Sequence, residues 1–293
     1  MRRLVLIASL LAIAASVFAF ADVDRGNAYV ERLCGNDAEP PPTYRHVVVI
    51  MEENRTWPTV GGVGFGAMPY LHSIALECSS YAQWNETNPS QDSLTQYIGL
   101  TSGVDNPKTV NDCAPSACHS TDNNIFRQVR DSGGTARTYV EDASGGCQPG
   151  GHPANVPALY YQGANDHSYC RSEVRPFKDF DPAHLPTFAM IIPNRCHNGH
   201  NCANATVDTW LQTHLGAILQ GASYRAHDTA VFVLYDEDRP VPNLIIAPTA
   251  HEGAITNVVA THGGALRTIE TMLGLPVLHP VRNATGLRAS ADI

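Results

Sequence analysis

The sequence predicts an α/β protein, and three features carry that expectation. Residues 47–51, 187–192 and 230–235 are short apolar runs, the first rich in β-branched residues. Such runs suit strands buried on both faces of a parallel sheet, where alternation is not needed. Each run stops at polar residues: Glu52-Glu53-Asn54, then Pro193-Asn194 leading into RCHNGHNC, then Asp236-Glu237-Asp238. Segments of helical period separate the runs. In open α/β sheets ligands collect beyond the carboxyl ends of the strands, so three acid- or amide-tipped ends on one edge suggest a site.

Along the chain, Arg2 and Arg3 precede an apolar run over 4–18, and Ala19-Phe20-Ala21 makes a small-x-small cleavage pattern. That is the form of a secretory signal peptide over residues 1–21, leaving 22–293 as a single catalytic domain. No later run is long enough to span a bilayer. The expectation is therefore a secreted or periplasmic protein without a stable membrane anchor. Residues 22–45, with Pro40, Pro41 and Pro42, read as an irregular lead-in to the first strand. A loop containing Gly61, Gly62, Gly64 and Gly66 follows it, then a helix over 69–77.

Within residues 88–103, Leu94, Tyr97, Ile98 and Thr101 fall on one helical face, with Asp92 or Ser93 as N-cap. A serine there is most often only a cap. Its hydroxyl nonetheless meets free N–H groups and the positive end of the helix dipole, which stabilise an alkoxide and an attached phosphate. A short helix over 123–133, closed by Gly133 and Gly134, leads to a strand near 137–140. Residues 143–186 are rich in Gly, Pro, His and Tyr and read as a long cystine-tied loop roofing the site. Val207, Leu211, Leu215 and Ile218 give a core-facing helix over 205–219, and 244–247 reads as a fourth strand. The chain closes on a helix whose Leu266, Ile269 and Leu273 share a face, with His262 just before it and Gly274 and Pro276 ending it.

Hydrophobic residues make up 43% of the chain and charged residues 16%, a globular composition. The net charge is −9, and the leader removes two arginines and no acid. A nucleic-acid partner is thereby excluded, because backbone affinity needs clustered Lys and Arg. All eight cysteines lie beyond the leader, an even count that reads as disulfides. They formally allow on the order of a hundred pairings. Cys113–Cys118 and Cys196–Cys202 are favoured as local loops, with Cys147–Cys170 across a longer loop and Cys34 with Cys78. The CxxC pairs usual in structural zinc sites are absent.

Carboxylates at strand ends can hold a hard cation, a helix start can neutralise phosphoryl oxygens, and a histidine can protonate a leaving oxygen. The motifs VVVIMEENRT, SLTQYIGLTSG, IPNRCHNGHNC, VLYDED and THGGALRTIETMLGLP, in that order from residue 46 to 278, resemble those of the bacterial phosphoesterase family. That family includes phospholipases C and secreted acid phosphatases, within the alkaline-phosphatase-like superfamily. The likeness to small secreted acid phosphatases acting on phosphoinositides stands out. It implies a three-layer α/β/α sandwich with the disulfide-tied loops over the site. It also implies a nucleophile at Ser93 (Ser90 as fallback), histidines at His262 and His200, and one divalent metal ion held by Glu53, Asn54, Asp236 and Glu237. Three departures stand out. Asn198 and Asn201 replace acids flanking the central histidine, Arg239-Pro240 replaces a usual glycine, and Asn155 stands where a histidine is common.

The resemblance implies a phosphoric-monoester hydrolase working through a phosphoserine on a small phosphorylated substrate or a phosphoinositide headgroup. Two alternatives stay open: a phospholipase C cleaving a headgroup diester, and a non-catalytic secreted binding protein on the same scaffold.

Overall fold

A computed structural model describes residues 32–36, 39–148, 150 and 155–293. The predicted signal peptide lies outside these residues. Strand β1 (His46–Glu52) is paired on both edges, and every residue from Val47 to Glu52 is buried. Its lack of alternation therefore has the expected cause: both faces of the sheet are covered.

The other strands are β2 (Ser79–Tyr81), β3 (Trp84–Asn85), β4 (Ala136–Val140), β5 (Val174–Pro176), β6 (Phe188–Ile192), β7 (Thr229–Tyr235), β8 (Asn243–Ile246), β9 (Ile255–Thr256) and β10 (Ala260–Thr261). Eight of them form one sheet in the order β5-β4-β6-β1-β7-β8-β2-β9, and β3 pairs with β10 apart from it. From β5 to β7 the pairing is parallel throughout. The fourth strand, β8, departs from this arrangement and runs antiparallel to β7 and β2. A parallel crossover takes about a dozen residues or more, and the segment between Tyr235 and Asn243 is shorter than that.

Helices cover the sheet in two groups, giving the three layers. Pro69–Ala75 packs with Asn204–Leu219; Ser93–Ser102 packs with His262–Met272 and Ile125–Asp131. The helix at Ile125 starts where Asn124 accepts the Arg127 N–H. Strands β2, β5 and β9 and the pair β3–β10 were not expected. Each has only two or three residues, too few to show a period.

All four expected disulfides are formed: Cys34–Cys78, Cys113–Cys118, Cys147–Cys170 and Cys196–Cys202. The segment 143–186 is more structured than a plain loop. It adds β5 to the sheet edge, and an ion network ties it down: Arg127 and Arg130 on Asp166, and Arg130 on Glu173. Residues 32–293 form one compact unit. Among the described residues no helix is long and apolar enough to cross a membrane.

Candidate active site

Strands β1 and β7 are parallel neighbours, with Glu52 in register with Tyr235. The next residues, Glu53 and Asp236, therefore leave the sheet side by side. Side chains alternate faces along a strand, so Glu52 and Glu53 part company there. Both Glu52 carboxylate oxygens are buried without partners, and burial, then Glu53 and Glu141, push its pKa well up. Its charge is felt by Tyr235, as is that of Asp208 on the Asn204–Leu219 helix. Glu53 instead joins the Ser93 side, where Tyr97 donates to its Oε1 at 2.8 Å and Asn155 Nδ2 donates to the same atom.

Asn54 completes the turn off β1 with φ 45°, a left-handed conformation that asparagine tolerates. Its N–H donates to Asp236 Oδ1 at 3.2 Å, and its side-chain amide donates to Glu237 Oε1 at 2.5 Å. Asp236 Oδ1 also accepts the Glu237 N–H at 2.9 Å. The structure thus brings together all four residues assigned to the metal by resemblance.

Ser93 is the first residue of its helix and only 6% exposed. It is not the cap: Asp92 holds that position, and no side chain of its own satisfies the helix N–H groups. The Leu94 N–H is met instead by Asp112 Oδ1 at 3.0 Å. Asp112 sits at φ 48°, just before the Cys113–Cys118 loop, and the sequence reading missed it. An acid beside a tight cystine loop was the available signal, but nothing in the pattern tied it to a helix start. Ser90, the fallback, is exposed in a turn where its N–H donates to Asn88 Oδ1.

Crowding three carboxyls shifts their titration. Burial, reinforced by Glu237 and Asp112, pushes Glu53 up to about 7 against the opposing Tyr97 hydrogen bond. Burial and then Asp236 raise Glu237 to about 8. Burial and then Glu53 push Asp236 well up. The Ser93 hydroxyl is near enough to pull Asp236 partly back, yet Asp236 Oδ2 has no partner at hydrogen-bond distance. Asn54 Oδ1 is likewise buried and bare.

These oxygens suit a hard divalent cation in kind, since such ions take carboxylate and amide oxygens. No group of three or more His, Cys, Asp or Glu side chains among the described residues stands ready to hold a metal. Glu53 is drawn onto Tyr97 and Asn155, and Glu237 onto Asn54. The two bare oxygens are the fitting feature.

The two histidines part. His262 opens the last long helix, fully buried against Trp84 at 6.3 Å between ring centroids. Its Nε2 donates to the Tyr235 carbonyl at 3.3 Å and its Nδ1 has no partner. Burial lowers its pKa to about 4, so it is neutral and offers a lone pair at Nδ1. His200 is exposed, with its ring between Asn201 Oδ1 at 2.7 Å and Arg195 at 2.9 Å. No contact joins it to the four-residue cluster.

A model of the Phosphoesterase family matches residues 87–240, which include Ser93, Asn155, Asp236 and Glu237. The chain belongs to the Phosphoesterase family. It is similar to a phosphatidylinositol-3-phosphatase of Mycobacterium tuberculosis, 26% identical over 261 residues, covering 85% of this chain and 84% of that one. Among solved structures it is similar to an alkaline phosphatase superfamily protein of Vibrio parahaemolyticus. That match has a TM-score of 0.59 and 13% identity, covering 83% of this chain and 69% of that one. A phosphonate monoester hydrolase from Silicibacter pomeroyi matches with a TM-score of 0.52 and 11% identity, covering 85% and 77%. At such identities the structural likenesses show the fold alone. This phosphoesterase is a phosphoric ester hydrolase with the alkaline-phosphatase-like α/β/α architecture.

Proposed function

We propose that the enzyme is an exported hydrolase of phosphoric monoesters, phosphoinositide headgroups among them, working through a phosphoserine on Ser93. One observation carries the reading. Ser93 starts a helix beside Asp236, over the strand ends where Glu53, Asn54 and Glu237 meet. The phosphatidylinositol-3-phosphatase similar to this chain motivates the headgroup.

Glu53, Asn54, Asp236 and Glu237 would hold one divalent cation, to which the unpartnered Asp236 Oδ2 and Asn54 Oδ1 are available. When bound, that cation supplies charge neutralisation for the phosphoryl oxygens. Ser93 Oγ attacks phosphorus as its proton passes to water. The ester P–O bond breaks and the departing oxygen leaves as the alcohol after taking up a proton from water. A second water cleaves the phosphoserine, its hydroxide bonding to phosphorus as the serine P–O bond breaks and its proton going to Ser93 Oγ, which releases phosphate. His262 accepts a hydrogen bond from that water at Nδ1, in keeping with its neutral ring. His200 takes no part in these steps.

Phosphate release from a panel of mono- and diesters, with and without chelator, tests the reading. Monoesters should turn over faster and chelator should stop them. A clear preference for a choline phosphodiester would make the enzyme a phospholipase C instead. Binding of the panel without any turnover would favour the non-catalytic scaffold.

A further inference from the structure

A cavity of about 290 Å³ adjoins Glu53, and its lining includes neither Ser93 nor Asp236. Asn155, whose amide reaches Glu53 Oε1, and Asn198, whose carbonyl accepts the Glu53 N–H at 2.8 Å, both line it. So does Arg195, whose charge is felt at Glu53. The cavity is thus next to the phosphoryl site and distinct from it.

Charges in the cavity are unequally spoken for. Glu141 accepts from His197 Nδ1 at 2.8 Å, the Asn194 N–H at 2.9 Å and Trp210 Nε1 at 3.2 Å. Asp142 accepts from Asn194 Nδ2 at 2.6 Å. Arg195 has no carboxylate partner among the described residues. Its Nε is buried and bare, and its Nη2 meets only His200 Nε2 at 2.9 Å. Because His200 Nδ1 faces the Asn201 carbonyl oxygen, Nδ1 carries the proton and Nε2 is the acceptor. The histidine is therefore a neutral prop for the guanidinium. By contrast, the nearby Arg55 spends its fork on structure: Nε on Asn204 Oδ1, Nη1 on the Asn54 carbonyl and Nη2 on the Cys202 carbonyl.

The segment carrying Arg195 is braced. Asn194 Oδ1 accepts from the N–H groups of Cys196 and His197 at 3.0 Å each, Asn198 Oδ1 accepts from the His200 N–H, and the Cys196–Cys202 disulfide closes the loop. A pre-organised guanidinium at the wall of a cavity, with no carboxylate partner of its own, matches a phosphate, which it can bind through two parallel N–H bonds. Asn198 and Asn201 beside His200 are uncharged amides, and Glu141 and Asp142 in the same cavity wall are engaged by other donors.

Resting on the phosphomonoesterase reading, we propose that Arg195 binds a second anionic group carried by the substrate's alcohol. The enzyme then prefers phosphomonoesters whose leaving group itself bears a phosphate, and His200 is a positioning residue for Arg195. A soluble inositol bisphosphate and the diester phosphate of a phosphoinositide share this chemistry.

The test compares kcat/KM of the wild type and Arg195→Met on three substrates: an inositol monophosphate, an inositol bisphosphate and a short-chain phosphatidylinositol monophosphate. In the wild type both doubly anionic substrates should be preferred. In Arg195→Met the preference ratio over the monophosphate should fall about tenfold or more, mainly through KM. Arg195→Lys should restore part of it, and His200→Ala should lower it with a smaller step. A larger fall with the soluble bisphosphate, or with the lipid, names the source of the second phosphate. A ratio unmoved in Arg195→Met, including an equal loss on all three substrates, overturns the proposal. If the wild type turns over none of them, the phosphomonoesterase reading fails. Calorimetric binding of the bisphosphate, weaker in Arg195→Met or not, then still decides on Arg195.

Discussion

The Asn54 side-chain amide donates to Glu237 Oε1 at 2.5 Å, joining residues 183 positions apart in the chain. The contact exists because β1 and β7 are parallel neighbours whose ends coincide, and because Asn54 turns back at φ 45°. It leaves the amide oxygen of Asn54 and Oδ2 of Asp236 without partners at the centre of the site. Buried polar atoms are nearly always satisfied, so two bare oxygens this close together carry a cost in stability.

Asp236→Asn should expose that cost. Its Oδ1 can still accept the Asn54 and Glu237 N–H groups, so the turn keeps its hydrogen bonds. Removing a buried carboxyl that Glu53 repels relieves strain near neutral pH. Activity is expected to fall on the order of 100-fold or more while Tm stays level or rises. A marked drop in Tm with activity retained would show that Asp236 is structural.

Ser93→Ala should abolish turnover and leave the fold intact. The helix start is served by Asp112, so the loss in stability should not exceed about 1 kcal/mol, the usual worth of a cap. Acid-quenched wild type should carry phosphate on Ser93. Phosphate on Ser90, or a fully active variant, contradicts the assignment.

A cation at this site must displace protons. Burial and mutual repulsion raise Glu53 to about 7 and Glu237 to about 8, so near neutral pH both are substantially protonated without a cation. Binding should therefore release protons and weaken as pH falls below these values. Calorimetry in buffers of different ionisation enthalpy reads the release directly. Affinity independent of pH, with no protons released, would rule out these two carboxyls as ligands. At a hundredfold excess over Kd the cation should stabilise the fold by about 2.7 kcal/mol.

Sequence pattern revealed β1, β6 and β7 because strands buried on both faces leave a continuous apolar signal, and the acids at the ends of β1 and β7 are conspicuous. It could not reveal β2, β5 or β9, whose pairing depends on partners distant in the chain. Cys113–Cys118 and Cys196–Cys202 were readable because separations of 5 and 6 residues leave little choice of partner. Asp112 was not, since its place at the start of the Ser93 helix depends on a left-handed backbone turn in a loop. His200 was legible as a motif but not in its orientation. Only the neighbouring Arg195 and Asn201 show that its ring nitrogens are already taken.

Glu270 offers a stability prediction away from the site. It lies on the last long helix, fully buried, with Oε1 accepting the Leu278 N–H at 3.1 Å and Oε2 bare. Burial raises its carboxyl from the ordinary 4.5 to about 7. The folded state therefore holds this proton more tightly than the unfolded chain does. Its contribution to stability is fully present below the unfolded value and is lost as pH rises through about 7. Glutamine keeps the Oε1 acceptor and cannot ionise. Glu270→Gln should thus leave Tm nearly unchanged at about pH 5 and raise it at about pH 8, each 1 kcal/mol gained being worth roughly 2–4 °C in a chain of this size. Thermal unfolding of both proteins across that range checks the sign. An equal change in Tm at both ends would mean that the substitution alters packing and that the buried proton has no part in it.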